Sequence, residues 1–212
     1  MIVTIDGPAG AGKSTVARAL AAKLGFRYLD TGAMYRALTW LACERGADLE
    51  DETLLSQLGR ANPIDFDSEG HTQIGGTDVT EEIRRPEVDR VVSLVARQPE
   101  VRLIMRERQR ELATLGDLVI EGRDIGSVVV PGAEVKVYLV ADEAVRAGRR
   151  LAERPGSVAE TLAAEMRRRD ERDAPQMQPA PDAVHIDTTN LRVEEVVERI
   201  ETLVNEKVAS RR

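Results

Sequence analysis

The sequence predicts an α/β fold, a parallel sheet with helices on both faces, and three observations predict it. Ile2 to Asp6 is a short β-rich run that stops at Gly7, and Ser14 to Leu24 is rich in alanine and leucine without proline, so strand, glycine loop and helix follow one another. Asp117 to Glu121, ahead of Gly122, and Val135 to Val140, ahead of Asp142, have the length and apolar content of buried strands. Val184 to Asp187 is a fourth such run. Val193, Val196, Val197, Ile200, Leu203, Val204 and Val208 are spaced for one apolar helix face, which should close the core. Strands alternating with amphipathic helices imply a parallel sheet whose ligands bind beyond the carboxyl ends of its strands.

One stretch breaks that rhythm. Asn62 to Asp67, Gly70, Gln73 to Thr77 and Val79 read as short strands joined by tight turns, a small β insertion. No proline-rich or serine-rich linker divides the 212 residues, so one core with insertions is expected. No apolar run approaches the roughly 18 residues of a membrane span, and the first residues read as a strand rather than an export signal. A net charge of −7 with a pI near 5.1 argues against a surface built for a nucleic-acid polymer. Cys43 stands alone, which excludes an internal disulfide and a multi-cysteine metal site and leaves packing as its expected role. His71 and His185 are far apart and are expected to occupy ordinary loop or strand positions rather than a metal site. Metal should arrive with a nucleotide.

Gly7, Pro8, Ala9, Gly10, Ala11, Gly12, Lys13 and Ser14 match G-x-x-x-x-G-K-[ST], between a strand and a helix as that pattern requires. The glycines let the backbone wrap a phosphate chain with N–H groups inward, and the helix adds its positive end. Lys13 should reach the β- and γ-phosphates, the Ser14 hydroxyl is placed to ligate Mg2+, and Thr15 is a secondary phosphate contact. Such a loop names no reaction, because switches, motors, pumps and kinases share it. The Asn-Lys-x-Asp segment of a guanine-selective switch does not occur in this chain.

The acceptor side must therefore decide. Asp30 to Arg36 reads as a turn entering a helix, which is expected to set Thr31, Tyr35 and Arg36 near a cleft facing the phosphate loop. In Glu121-Gly122-Arg123-Asp124-Ile125-Gly126, charges are pressed between glycines directly after a buried strand, an expensive arrangement unless they meet a ligand. The phosphate loop with Ile-Asp-Gly entering it, Asp30 to Arg36, Gly122 to Gly126, Arg169-Asp170-Glu171-Arg172-Asp173 and Ile186-Asp187-Thr188-Thr189 together resemble the bacterial cytidylate kinases, in their order and over nearly the whole chain.

That resemblance implies a nucleoside monophosphate kinase fold with a β insertion in the acceptor-binding region and a helical lid. It divides a single domain into a core of residues 1–30, 116–153 and 183–212, a CMP-binding region of 31–115 with its insertion at about 62–80, and a lid of about 154–182. It implies transfer of the γ-phosphate of ATP to CMP and dCMP, with Mg2+. A cytoplasmic monomer is expected, and composition and charge argue for neither a nucleic-acid polymer nor a membrane as partner. It also implies a base pocket of Ser93, Arg102 and Asp124, in which Asp124 takes the cytosine amino donor and Arg102 donates to ring acceptors. Arg36 and Arg123 fall to the acceptor phosphate, with Thr31 and Tyr35 close by. Arg169 and Asp173, four apart on one helix face, are offered to phosphate and ribose. Lys13, Arg123 and Arg169 form the catalytic set. The chain departs from the pattern at Gln176, where the family carries a further arginine; either Arg172 supplies that charge or sugar recognition is looser, and the sequence leaves both open. A kinase for another small acceptor on this fold, and a nucleotide-binding regulatory module, are the rival readings.

Overall fold

A computed structural model of the chain describes residues 1–67, 70–153 and 158–210. The chain divides into two compact units, one formed by residues 1–28 and 116–210 and the other by residues 29–115.

In the first unit, β1 (Ile2–Asp6) pairs in parallel with β6 (Leu118–Gly122) and with β7 (Val135–Val140), and β7 pairs in parallel with β8 (Val184–Asp187). With β2 (Arg27–Asp30) the sheet runs β2-β6-β1-β7-β8. The pleat sends Val3 and Ile5 to one face of β1 and Thr4 and Asp6 to the other. Against Val3 and Ile5 pack α1 (Lys13–Leu24) and α8 (Val193–Ala209), through Val16, Ala17, Leu20, Val196, Val197 and Ile200. On the second face a π-helical turn, Ile125–Val129, lies over β1. A Cβ on Gly126 would come within 2.7 Å of the Thr4 hydroxyl, so only glycine permits that approach. Asp6 stands opposite both Gly122 and Tyr138 in the register. The chain therefore leaves β1 and β6 at one level, and Gly7 and Arg123 emerge together. Beyond β7 come α6 (Glu143–Glu153) and α7 (Ala159–Asp173), which pack on each other, with Leu162 and Met166 buried in α7. Residues 154–157 of the expected lid lie outside the described residues.

The second unit holds α2 (Thr31–Glu44), α3 (Glu52–Ala61), α4 (Pro86–Ala96), α5 (Pro99–Ala113) and a small antiparallel sheet of β3 (Ile64–Phe66), β4 (Thr72–Ile74) and β5 (Thr77–Asp78), in that order. This sheet falls where the β insertion is expected, residues 68 and 69 of it lying outside the described residues. Gly75 and Gly76, with φ of 56° and 79°, give the two-residue β4–β5 turn the pair of positive angles it needs. Proline at the first position opens both α4 and α5, where its missing N–H costs nothing.

Two readings need amendment, and one strand was not foreseen. Asp30 is itself the cap of α2, its Oδ1 accepting from Ala33 N at 2.9 Å, so the helix starts at Thr31 with no turn before it. Strand β2 had no apolar run to announce it. Cys43 is exposed, because the buried side of α2 passes through Met34, Ala37, Leu38, Leu41 and Ala42 and position 43 falls on the opposite side.

Candidate active site

The glycine loop connects the end of β1 to α1. At Gly7 (φ 146°) a Cβ would sit 2.2 Å from the Leu139 carbonyl oxygen, so a side chain is excluded where the loop crosses β7. Lys13 Nζ donates to Pro8 O at 2.8 Å, folding the side chain back over the loop. Burial pushes the Lys13 ammonium down to about 7; neighbouring Arg123 and Arg169 push the same way, against the pull of Glu121 and Asp6. Ser14 and Thr15 are exposed in the first turn of α1. Among the described residues no three His, Cys, Asp or Glu side chains converge to hold a metal ion. The hard hydroxyl oxygen of Ser14 suits Mg2+, which keeps several waters and takes few protein ligands beside phosphate oxygens.

Four more cations and a hydroxyl surround the loop within the same unit. Arg123 Nη1 donates to Gly7 O at 2.6 Å, Arg146 Nη1 to Ala9 O at 3.0 Å, and Arg149 Nη1 to Gly10 O at 3.4 Å. The Thr188 hydroxyl donates to Ala11 O at 3.0 Å. Arg123 also grips Asp173 Oδ2 through Nε and Nη2, at 3.2 and 2.9 Å, and Arg169 Nε lies 3.7 Å from the same oxygen. Asp173 thus holds Arg123 and Arg169 at the mouth of the loop. Arg146 in turn meets Asp170 at 2.5 Å, tying α7 to α6. Arg172 is exposed and Gln176 half-buried in the short turn after α7.

Asp124, nearly buried, opens the π-helical turn. That turn is pinned by Asp6, whose two carboxylate oxygens accept from Ile125 N at 2.9 Å and Gly126 N at 2.8 Å. Burial pushes the Asp6 carboxyl up to about 6, against those two bonds and with the charge of Asp124 adding to the rise. Glu121, buried at the end of β6, accepts from the Tyr28 hydroxyl at 2.5 Å.

The second unit holds the remaining sequence-predicted residues. Arg102 lies over the Tyr35 ring, 5.9 Å from its centroid, and its Nη1 donates to Ala96 O at the end of α4 at 3.2 Å. Ser93 is buried on α4 and Thr31 at the start of α2. Arg36 Nε donates to Asp89 Oδ1 at 3.2 Å, both side chains being largely buried. Asp30, besides capping α2, accepts from Arg84 at 2.9 Å. Its burial opposes ionisation, but Arg84, Arg36 and the Ala33 N–H hold its carboxyl below the usual range. So Tyr35 and Arg102 meet in one unit, Arg123, Asp173 and Arg169 meet in the other, and Arg36 is engaged with a carboxylate. Asp6, Glu121, Arg146 and Arg149 were not singled out from sequence. The legible signal was there for the first two: each is a carboxylate ending an otherwise apolar strand.

A parallel sheet whose central strand runs through a glycine loop into α1, with Lys13 folded over the loop, defines a P-loop nucleotide-binding fold. Solved structures of that kind resemble it. The shikimate kinase of Bacteroides thetaiotaomicron superposes with a TM-score of 0.52 at 19% identity, over 97% of this chain and 98% of its own. A gluconokinase from Sinorhizobium meliloti 1021 gives 0.52 at 16%, over 98% and 93%. The sequence is more specific. A model of the cytidylate kinase family matches residues 3–206. The protein named cytidylate kinase in Geobacillus kaustophilus is 50% identical, over 97% of both chains. The Bacillus licheniformis protein of that name is 47% identical over 98% of this chain and 97% of its own. The chain belongs to the cytidylate kinase family.

Proposed function

We propose that the protein transfers the γ-phosphate of ATP to CMP and dCMP, giving CDP and dCDP. The observation that carries this reading is family membership over residues 3–206 in a chain whose phosphate loop keeps Lys13 and Ser14 at the head of α1.

An α-phosphate oxygen of the acceptor attacks the γ-phosphorus in line as the bond to the β–γ bridging oxygen breaks, and ADP leaves with that electron pair. The acceptor oxygen is already ionised near neutral pH, so no general base is required. Positioning and charge do the work. Lys13 offsets charge on the β- and γ-phosphates, and Gly7 to Thr15 supply backbone and hydroxyl donors. Ser14 would supply one oxygen to a Mg2+ arriving with ATP, and that ion would neutralise phosphate charge. Residues 31–115 form the CMP-binding region. Arg36 and Arg123, with Thr31 and Tyr35, take the acceptor phosphate; Ser93, Arg102 and Asp124 read the base; Arg169 and Asp173 serve phosphate and ribose. The close pairing of Arg123 with Asp173 supports a shared task for them. A carboxylate at Asp124 rejects uracil, which offers a carbonyl where cytosine offers an amino donor. The lid, about 154–182, closes to exclude water. The protein acts as a cytoplasmic monomer.

ADP formation from MgATP with CMP, dCMP, UMP, AMP and shikimate as separate acceptors tests the reading. Turnover with CMP and dCMP that Lys13→Ala abolishes is the expected result. Turnover only with AMP or shikimate would move the protein to another acceptor, and none with any of them would leave a nucleotide-binding module. Asp124→Ala should lose far more activity with CMP than with UMP; equal losses would remove Asp124 from the base pocket.

A further inference from the structure

The segment Ile186-Asp187-Thr188-Thr189 has no task in the mechanism above, yet its third residue is buried against the phosphate loop. Thr188 Oγ1 lies 3.0 Å from Ala11 O and 3.1 Å from Val140 O, and accepts from Arg149 Nη1 at 3.0 Å. Arg149 also donates through Nη2 to Thr188 O at 2.6 Å and through Nη1 to Gly10 O at 3.4 Å. The turn is itself fixed. Thr188 N donates to Val140 O at 2.8 Å, Asp187 Oδ1 accepts from Thr189 N and Oγ1 at 2.9 and 2.6 Å, and Thr189 Oγ1 accepts from Asp142 N at 3.0 Å, just ahead of the helix that carries Arg149.

A trans peptide is planar, with its C=O and the following N–H on opposite sides, and no cis bond occurs among the described residues. Holding Ala11 O from outside therefore points the Gly12 N–H in the opposite direction within that plane, toward the inside of the loop. Arg149 donates to one of the hydroxyl's two lone pairs, and the single hydroxyl proton is shared between the two carbonyls. We infer that Thr188 and Arg149 are positioning residues that brace the outer side of the phosphate loop and so aim the Gly12 N–H at the polyphosphate. This rests on the reading of residues 7–15 as the site of ATP.

Thr188→Val keeps the shape and removes the hydroxyl; Thr188→Ser keeps the hydroxyl. Steady-state kinetics with MgATP and CMP varied separately, and inhibition by inorganic tripolyphosphate, which has no base, read the effect. Thr188→Val should raise the KM for ATP and the tripolyphosphate inhibition constant about tenfold, the scale of one unsatisfied buried group. The KM for CMP should stay unchanged, and Thr188→Ser should return near wild type. Arg149→Gln should shift both phosphate constants in the same direction, and it carries the test if Thr188→Val does not fold. Three outcomes overturn the inference: wild-type constants in both Thr188→Val and Arg149→Gln; weakened ATP with unchanged tripolyphosphate, which makes Thr188 a contact of the base; or equal rises in both KM values that serine does not restore. A wild-type protein that binds neither MgATP nor tripolyphosphate would instead strike the assignment of the loop, and the brace with it.

Discussion

The cations of the two units are satisfied in different ways. Around the phosphate loop, Lys13, Arg123, Arg146 and Arg149 donate to the backbone carbonyls of Pro8, Gly7, Ala9 and Gly10, and Arg123 and Arg146 are paired with Asp173 and Asp170 as well, so Lys13 and Arg149 are the ones met there by carbonyls and a hydroxyl. In the unit of residues 29–115, Arg36 is set on Asp89, Arg84 on Asp30 and Arg108 on Asp65. A carbonyl offers a dipole and leaves the cation's charge to be felt by an arriving anion, whereas a carboxylate cancels it. Lys13 is poised because it gives up only a weak partner when phosphate arrives. Arg36 must exchange one anion for another, which makes its engagement selective for a group that competes with Asp89.

Lys13→Met breaks that comparison at its strongest point. Loss of a charge aimed at the transferring phosphoryl group should lower kcat by about 10³-fold or more, read as ADP formation. The same change should raise the melting temperature near pH 7. The unfolded chain keeps the Lys13 proton up to its ordinary 10.5 and the folded chain only to about 7, so unfolding takes up a proton between those values and stability rises with pH across them. Methionine removes that slope. A Lys13→Met protein that is both inactive and less stable would show that the ammonium is held by its neighbours rather than strained among them.

Next in size is Asp6→Asn. An amide has one acceptor atom where the carboxylate has two, so one of the Ile125 and Gly126 N–H groups loses its partner and the turn bearing Asp124 loosens. The KM for CMP should rise about tenfold, with the KM for ATP less affected. The wild-type Asp6 holds its proton to about 6 when folded against 3.8 ordinarily. The folded state therefore binds the extra proton, and this carboxyl makes stability fall as pH rises from 3.8 through 6. Denaturant melts between pH 4 and 6 should show that component flattened in Asp6→Asn; an unchanged slope would assign it to other groups. A smaller effect is expected from Asp89→Asn, which frees the charge of Arg36 while keeping an oxygen acceptor. The melting temperature should drop by an amount equivalent to about 1–2 kcal/mol, and the KM for CMP should fall a few-fold. A rise in that KM would mean that Asp89 holds Arg36 in its binding pose.

The same contrast explains what the sequence made legible. The phosphate loop was readable because its chemistry is contiguous: eight residues set the spacing, and local sterics at Gly7 enforce the path. The strands β1, β6 and β7 announced themselves by short, mainly apolar and β-branched runs. Strand β2 did not, since Arg27 and Tyr28 are polar at its start and only Leu29 and Asp30 are buried. The pairing of Tyr35 with Arg102 and of Arg123 with Asp173 spans 67 and 50 positions, and no pattern within one element could report either. Family resemblance supplied those residues as a set, but not their present partners. Cys43 was expected to pack because it stands alone as a cysteine, but packing selects one side of α2 and leaves it exposed.

Arg167→Gln should show the smallest effect of all. Arg167 Nη1 donates to Glu143 Oε1 at 3.1 Å, and the two side chains are 57% and 53% exposed. Water screens such a pair, and holding two long side chains together offsets most of the attraction. Stability should therefore change by less than about 0.5 kcal/mol, with kcat and both KM values unchanged, although Arg167 stands two residues from Arg169 on α7. Position along a helix does not make an arginine part of the chemistry; its partner and its depth do. A loss of turnover in Arg167→Gln that 0.5 M salt does not reproduce in the wild type would show that Arg167 reaches ATP when the lid closes, and would add it to the phosphate ligands.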